Sequence, residues 1–192
     1  MNRREALKYT TITLGAALSA TTTAAILQGC TAEPGSDWIP GTLSPTQAEA
    51  LAAMAETILP ATDDSPGARD VHVHRFIDTL LTDWANDETR QEWMEGFQAL
   101  HQELTGKTKD PAFNKLSAED QEAALRAINE RALSGAPNTA TDSFFLELKG
   151  QVIGGYFSSK EVGMNILAYD PVPGEYLGCI PVEEVGKAWS LR

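Results

Sequence analysis

Residues 44–60 read SPTQAEALAAMAETILP, and the architecture turns on how that stretch is built. Ser44 supplies an N-cap oxygen, and Pro45 sits in the first turn, where its missing N–H leaves no hydrogen bond unmade. Ala48, Leu51, Ala52, Ala55, Ile58 and Leu59 then recur at helical spacing until Pro60 stops the run. Beyond a loop at residues 61–69 (ATDDSPGAR), Asp70 can cap a second helix whose inner face is Val73, Phe76, Ile77, Leu80, Leu81 and Trp84. Residues 87–104 repeat the pattern with Trp93, Met94, Phe97, Leu100 and Leu104. Ser117-Ala118-Glu119-Asp120 opens a fourth helix, with Ala124, Leu125, Ile128 and Leu133 inward. Asp142 starts a fifth that runs to about Phe157. No stretch alternates apolar and polar residues over strand length, and no Asn-Gly or Asp-Gly pair marks a hairpin. The expectation is all-α: a single bundle of about five helices ending in an irregular C-terminal segment.

Charge narrows the function classes. The chain of 192 residues carries 15 Lys and Arg against 27 Asp and Glu, a net charge of -12. Such an acid excess repels phosphate backbones and anionic headgroups, which argues against a nucleic-acid partner. With 42% apolar residues, and with 4 Trp, 4 Tyr and 6 Phe, the chain has the means to bury a core. Two cysteines, Cys30 and Cys179, are too few for a thiolate zinc site or an iron–sulfur ligand set.

The N-terminus reads as an address. Arg3-Arg4 with Lys8 form a basic start, and residues 9–27 (YTTITLGAALSATTTAAIL) carry no charge. The paired arginines resemble a twin-arginine export signal, a route for proteins already folded. Leu27-Gln28-Gly29-Cys30 resembles a lipobox, which makes Cys30 a candidate lipid anchor. The chain then divides into a signal peptide at 1–29, a Pro/Gly/Ser-rich linker at 30–44 and a helical domain at 45–192. Losing residues 1–29 removes three basic residues and one acid, leaving 12 against 26, a net -14.

Motifs for chemistry are sparse. The sequence has no Gly-x-Gly-x-x-Gly, no Cys-x-x-Cys-His, no Gly-x-Ser-x-Gly and no Walker loop. His72 and His74 lie two apart in a predicted helix, where side chains diverge by roughly 200°, a poor arrangement for sharing a metal. Asp63-Asp64-Ser65-Pro66-Gly67 lacks the alternating ligands of a calcium loop and reads as a solvated turn. We therefore expect no catalytic, cofactor-binding or metal-binding residue in this chain.

Residues 149–181, KGQVIGGYFSSKEVGMNILAYDPVPGEYLGCIP, interleave glycines with aromatics. Glycine weakens a helix by about 1 kcal/mol relative to alanine, so Gly154-Gly155 marks a close approach of another group. Tyr156, Phe157, Tyr169 and Tyr176, with the brace of Pro171 and Pro173, have the makings of an interface core. By composition alone they fit equally well as packing of the C-terminal loop onto the bundle.

Taken with the twin-arginine signal, residues 58–78 (ILPATDDSPGARDVHVHRFID) and 144–179 (FFLELKGQVIGGYFSSKEVGMNILAYDPVPGEYLGC) resemble the gluconate 2-dehydrogenase subunit 3 family. The specific parts are Pro66-Gly67-Ala68, Gly155 to Glu161, and Tyr176-Leu177-Gly178-Cys179. The resemblance implies a non-catalytic small subunit of a membrane-associated sugar, polyol or gluconate dehydrogenase complex. In such complexes a flavoprotein of the glucose–methanol–choline oxidoreductase type holds FAD, and a multihaem cytochrome c often takes the electrons. The small subunit carries the export signal for its partner through the twin-arginine translocase, and the assembly is periplasmic. On this reading Tyr156, Phe157, Tyr169, Pro173, Tyr176 and Cys179 form the partner interface. The alternative is a free-standing periplasmic lipoprotein with a ligand pocket in its own helices.

Overall fold

Capping chemistry starts each of the longer helices. In the computed structural model, which describes residues 38–106, 113–135, 139–170, 172, 174–175 and 178–190, α1 runs Pro45–Ile58. Ser44 Oγ accepts from the Gln47 N–H while the Gln47 side chain accepts from the Ser44 N–H at 2.9 Å, a reciprocal box that satisfies two otherwise orphaned donors. Asn86 caps α3 (Asp87–Thr105), Ser117 caps α4 (Ala118–Leu133) and Thr139 caps α5 (Ala140–Ser158). Between them lie α2 (Val73–Thr79), which runs on into a π-helical turn at Leu80–Trp84, and a 3₁₀ turn at Phe113–Lys115. Two short helices follow, α6 (Lys160–Asn165) and α7 (Val182–Val185), in an otherwise irregular C-terminal segment. Among the described residues there is no strand; Thr62–Ser65 and Ala168–Trp189 form isolated bridges. The fold is the expected all-α bundle.

Helix α1 is its axis. Ala50, Leu51, Met54 and Ala55 are fully buried and their neighbours nearly so, because α2, α4, α5 and the 3₁₀ turn pack around it. Alanine on several sides lets those helices approach, and each buried Leu or Met contributes about 1.5–3 kcal/mol of transfer free energy. Helix α5 contacts α1, α2, α3, α4 and α6. Its Phe144 lies over Gly96 of α3, where a Cβ would run into the ring. Beside it Trp93 stacks on Phe97 with centroids 5.2 Å apart, and its indole N–H donates to Gln151 Oε1 at 2.9 Å.

Ion pairs tie α4 to its neighbours. Arg131 of α4 reaches Glu103 of α3 at 2.8 Å and Asp142 of α5 at 2.5 Å, so one guanidinium ties three helices. The hydrogen bonds it donates to Asp142 and then to Glu103 hold its charge on, pushing its pKa up. Asp78 of α2 is buried and accepts the backbone N–H groups of Gly41, Thr42 and Leu43 at 2.7, 3.1 and 2.8 Å. The compact unit accordingly begins at Pro40, inside the stretch expected to be linker.

Several expected details are corrected. Trp84 is 81% exposed rather than inward. The π turn, closed by the Ala85 N–H to Leu80 carbonyl bond at 2.9 Å, takes more residues per turn and rotates Trp84 off the apolar stripe. Phe76 is 42% and Leu133 63% exposed, each at the edge of its helix's inner face. Asp70 does not cap α2; its carboxylate accepts from the Gly67 N–H at 2.9 Å, and His72 stands at the N-cap with a left-handed backbone, φ 58°. Asp142 lies inside α5, where its N–H donates to the Thr139 hydroxyl oxygen at 3.1 Å.

Candidate partner-binding surface

The two stretches that carry the most distinctive sequence meet in space. Glu56, late in α1, accepts the backbone N–H groups of Ala61 and Arg69 at 3.0 and 2.9 Å and so folds the loop after α1 back on itself. Gly67 lies directly under that carboxylate, which leaves no room for a Cβ. Ala68 is fully buried, its N–H bonded to the Leu59 carbonyl at 2.9 Å. From α5, the Tyr156 hydroxyl donates to the Pro66 carbonyl at 2.8 Å. Pro66-Gly67-Ala68 and Gly155-Tyr156 are thus two halves of one latch.

This arrangement sets Tyr156 apart from the other interface candidates. It is 5% exposed and belongs to the core, because its ring packs inward while its hydroxyl is spent on Pro66. Gly155 shows the expected close approach: a Cβ there would stand 2.8 Å from the Phe76 ring and 3.3 Å from Val73. Gly154, its neighbour, faces open space. His72 and His74 also differ from expectation. With His72 at the N-cap instead of within the helix, the two rings come to 6.1 Å in an edge-to-face contact. Burial, then the charges of Arg75, His72 and Arg69, lower the His74 pKa to about 4 against the pull of Asp78. His101 is buried in α3, and burial lowers its pKa too.

Other apolar side chains of the C-terminal third stay exposed. Phe157 is 38% and Tyr169 49% exposed, and Cys179 is an exposed free thiol. Ile153, Met164, Ile180 and Trp189 are exposed as well. Leu146, Ile153 and Phe157 recur at sevens and fours on α5, a periodicity visible once the buried face is subtracted. The C-terminal segment is pinned beside Tyr169: the Ala168 N–H donates to the Ala188 carbonyl at 2.8 Å, and the Ser190 N–H to the Ala168 carbonyl at 2.9 Å. Pro173 and Tyr176, like Arg3, Arg4 and Cys30, lie outside the described residues.

A groove of about 510 Å³ opens between α1, α4 and α5, floored by Ile58, Leu125 and Phe145. Its polar lining is engaged within the chain: Lys149 donates to Asn129 at 2.8 Å, Thr57 to Gln121 at 3.2 Å, and Arg126 pairs with Glu122. Gln121 in turn donates to the Phe113 and Leu116 carbonyls, both at 3.1 Å, which stitches the 3₁₀ turn to α4.

Among the described residues no three His, Cys, Asp or Glu side chains converge as a metal-ligand set, and no helix is long and apolar enough to cross a membrane. Fold and surface define a class: a small all-α module with a packed core, internal latches and exposed apolar side chains toward its C-terminal end. The chain belongs to the gluconate 2-dehydrogenase subunit 3 family, whose profile matches residues 45–174, beginning at the first residue of α1. No curated protein and no solved structure matches it.

Proposed function

We propose that this chain is the non-catalytic small subunit of a periplasmic dehydrogenase complex. Its partner on this reading is an FAD-dependent flavoprotein of the glucose–methanol–choline type acting on a sugar, a polyol or gluconate, with a multihaem cytochrome c as electron acceptor. The chain escorts that partner through the twin-arginine translocase by way of Arg3 and Arg4, stabilises it, and holds the complex at the membrane through a lipidated Cys30. Membership of a family of dehydrogenase subunits carries the reading. The exposure of Phe157 and Tyr169 supports it, since aromatic side chains supply large, rigid contact area. The acid excess supports it as well, because it disfavours nucleic acid as the partner.

Co-expression with the dehydrogenase subunit of the same complex tests the proposal. The expected result is a co-purifying pair in which the partner carries the flavin and the activity, while the small chain alone has neither. Flavin absorbance or dehydrogenase activity retained by the purified small chain would overturn it.

A further inference from the structure

Four charged side chains line the groove between α1, α4 and α5: Glu56, Glu122, Arg126 and Lys149. Three are answered within the chain. Arg126 pairs with Glu122, and Glu56 accepts the Ala61 and Arg69 N–H groups at 3.0 and 2.9 Å. Lys149 differs: half-buried, it donates to the neutral Asn129 Oδ1 at 2.8 Å, and among the described residues no carboxylate lies within ion-pair distance of it. An ammonium carries three donors, and Asn129 takes one of them. In a chain of 27 acids and 15 bases, a cation kept in a cleft without an acid is an uncompensated charge. Partial burial strengthens its pull on an anion relative to open water.

The rest of the groove says what kind of anion. Its floor of Ile58, Leu125 and Phe145 offers apolar contact, so the ligand has an apolar body. Because Asn129 Oδ1 is held by Lys149, the Asn129 NH₂ group is left as a further donor for an oxygen of the same ligand. Glu56 and Glu122 keep their own charge nearby, which penalises a doubly charged group such as a phosphate monoester more than a carboxylate. Size separates a small molecule from a protein element. The volume of about 510 Å³ falls among small-ligand sites of about 300–1,000 Å³. A helix about 10–12 Å across would fill it with roughly one turn.

We propose that this groove is a ligand site for a small amphiphilic monocarboxylate, a fatty or aromatic acid, whose carboxylate pairs with Lys149 and accepts from Asn129 while its apolar body lies on Ile58, Leu125 and Phe145. The site is built from this chain alone and stands apart from the accessory-subunit reading.

Calorimetric titration of the full chain with octanoate, and with octanamide as an uncharged analogue of the same length, tests it. The expected result is saturable binding of octanoate at a single site, with octanamide weaker by roughly tenfold or more. Lys149→Gln lowers the affinity for octanoate to that for octanamide and leaves octanamide unchanged. Lys149→Arg, which keeps the charge, retains most of the octanoate affinity, and Lys160→Gln on α6 leaves both ligands as they were. A merely structural role for Lys149 would weaken the two ligands alike. The comparison of octanoate with octanamide on the wild type needs no variant to fold, and equal affinities there overturn the proposal. So does the absence of saturable octanoate binding, or a folded Lys149→Gln variant that binds octanoate as the wild type does.

Discussion

The Tyr156 hydroxyl reaches the Pro66 carbonyl across 90 residues of sequence, and that bond couples the end of α5 to the loop that follows α1. Replacing the hydroxyl by hydrogen, Tyr156→Phe, keeps the ring in the core and leaves one carbonyl without its donor. The cost is about 1–2 kcal/mol, or a fall in Tm of roughly 2–8 °C measured by thermal denaturation, with binding to the partner unaltered. His74 carries a share of the pH dependence, and His101, also lowered by burial, acts in the same direction. The folded pKa of His74 is depressed to about 4, while an unfolded histidine titrates near 6.5, so between those values the unfolded state binds more protons and stability falls as pH falls. From pH 7 to pH 5 this amounts to about 2 kcal/mol, levelling off below about pH 4. Denaturant melts of the wild type and His74→Gln at both pH values check it: the variant loses less between pH 7 and 5, and parallel losses would place the effect elsewhere. Neither role was legible in sequence. An aromatic in a glycine-rich stretch reads the same whether it points in or out, and burial of a histidine depends on what packs over it.

At the scale of elements, legibility followed the range of the forces. Ser44 and Ser117 read correctly as helix starts because an N-cap is satisfied within three residues of sequence. Asp70 and Asp142 misled for the same reason turned round: an aspartate accepts from any nearby N–H, and Asp70 took the Gly67 amide while Arg131 claimed Asp142. The π turn was invisible because nothing local demands it. It is held by Arg90, whose guanidinium donates to the carbonyls of Leu81 and Ala85 at 2.8 and 3.0 Å, groups that the irregular helix end would otherwise leave unmet. Asp78 likewise answers to residues far away in sequence. Asp78→Ala strands three backbone donors at Gly41, Thr42 and Leu43 and releases the chain entering α1. The expected outcome is a loss of about 3 kcal/mol or more, with faster amide exchange at those three positions than elsewhere in the bundle. Exchange rates that stay as slow as in the wild type would mean that other contacts hold the segment.

For the molecule as a whole, the folded unit and its address are separable problems. The bundle from Pro40 onward is closed by its own latches, whereas the proposed export role rests on Arg3 and Arg4, which lie outside the described residues. A translocase that accepts folded cargo is of use to this chain if the cargo that must fold first is something else, namely a flavoprotein that loads FAD before leaving the cytoplasm. Arg3→Lys with Arg4→Lys preserves the charge of the signal, so an ordinary secretory route would be unaffected, while a twin-arginine reader loses its fork of planar guanidinium donors. The expected outcome in fractionated cells is that both subunits remain in the cytoplasm as an assembled pair, with flavin bound to the larger. Cys30→Ala, by contrast, lets the pair cross and removes only its attachment, moving it from the membrane to the soluble periplasmic fraction. Should the dehydrogenase still reach the periplasm when the paired arginines are gone, its export does not depend on this chain, and the contact between them serves stability alone.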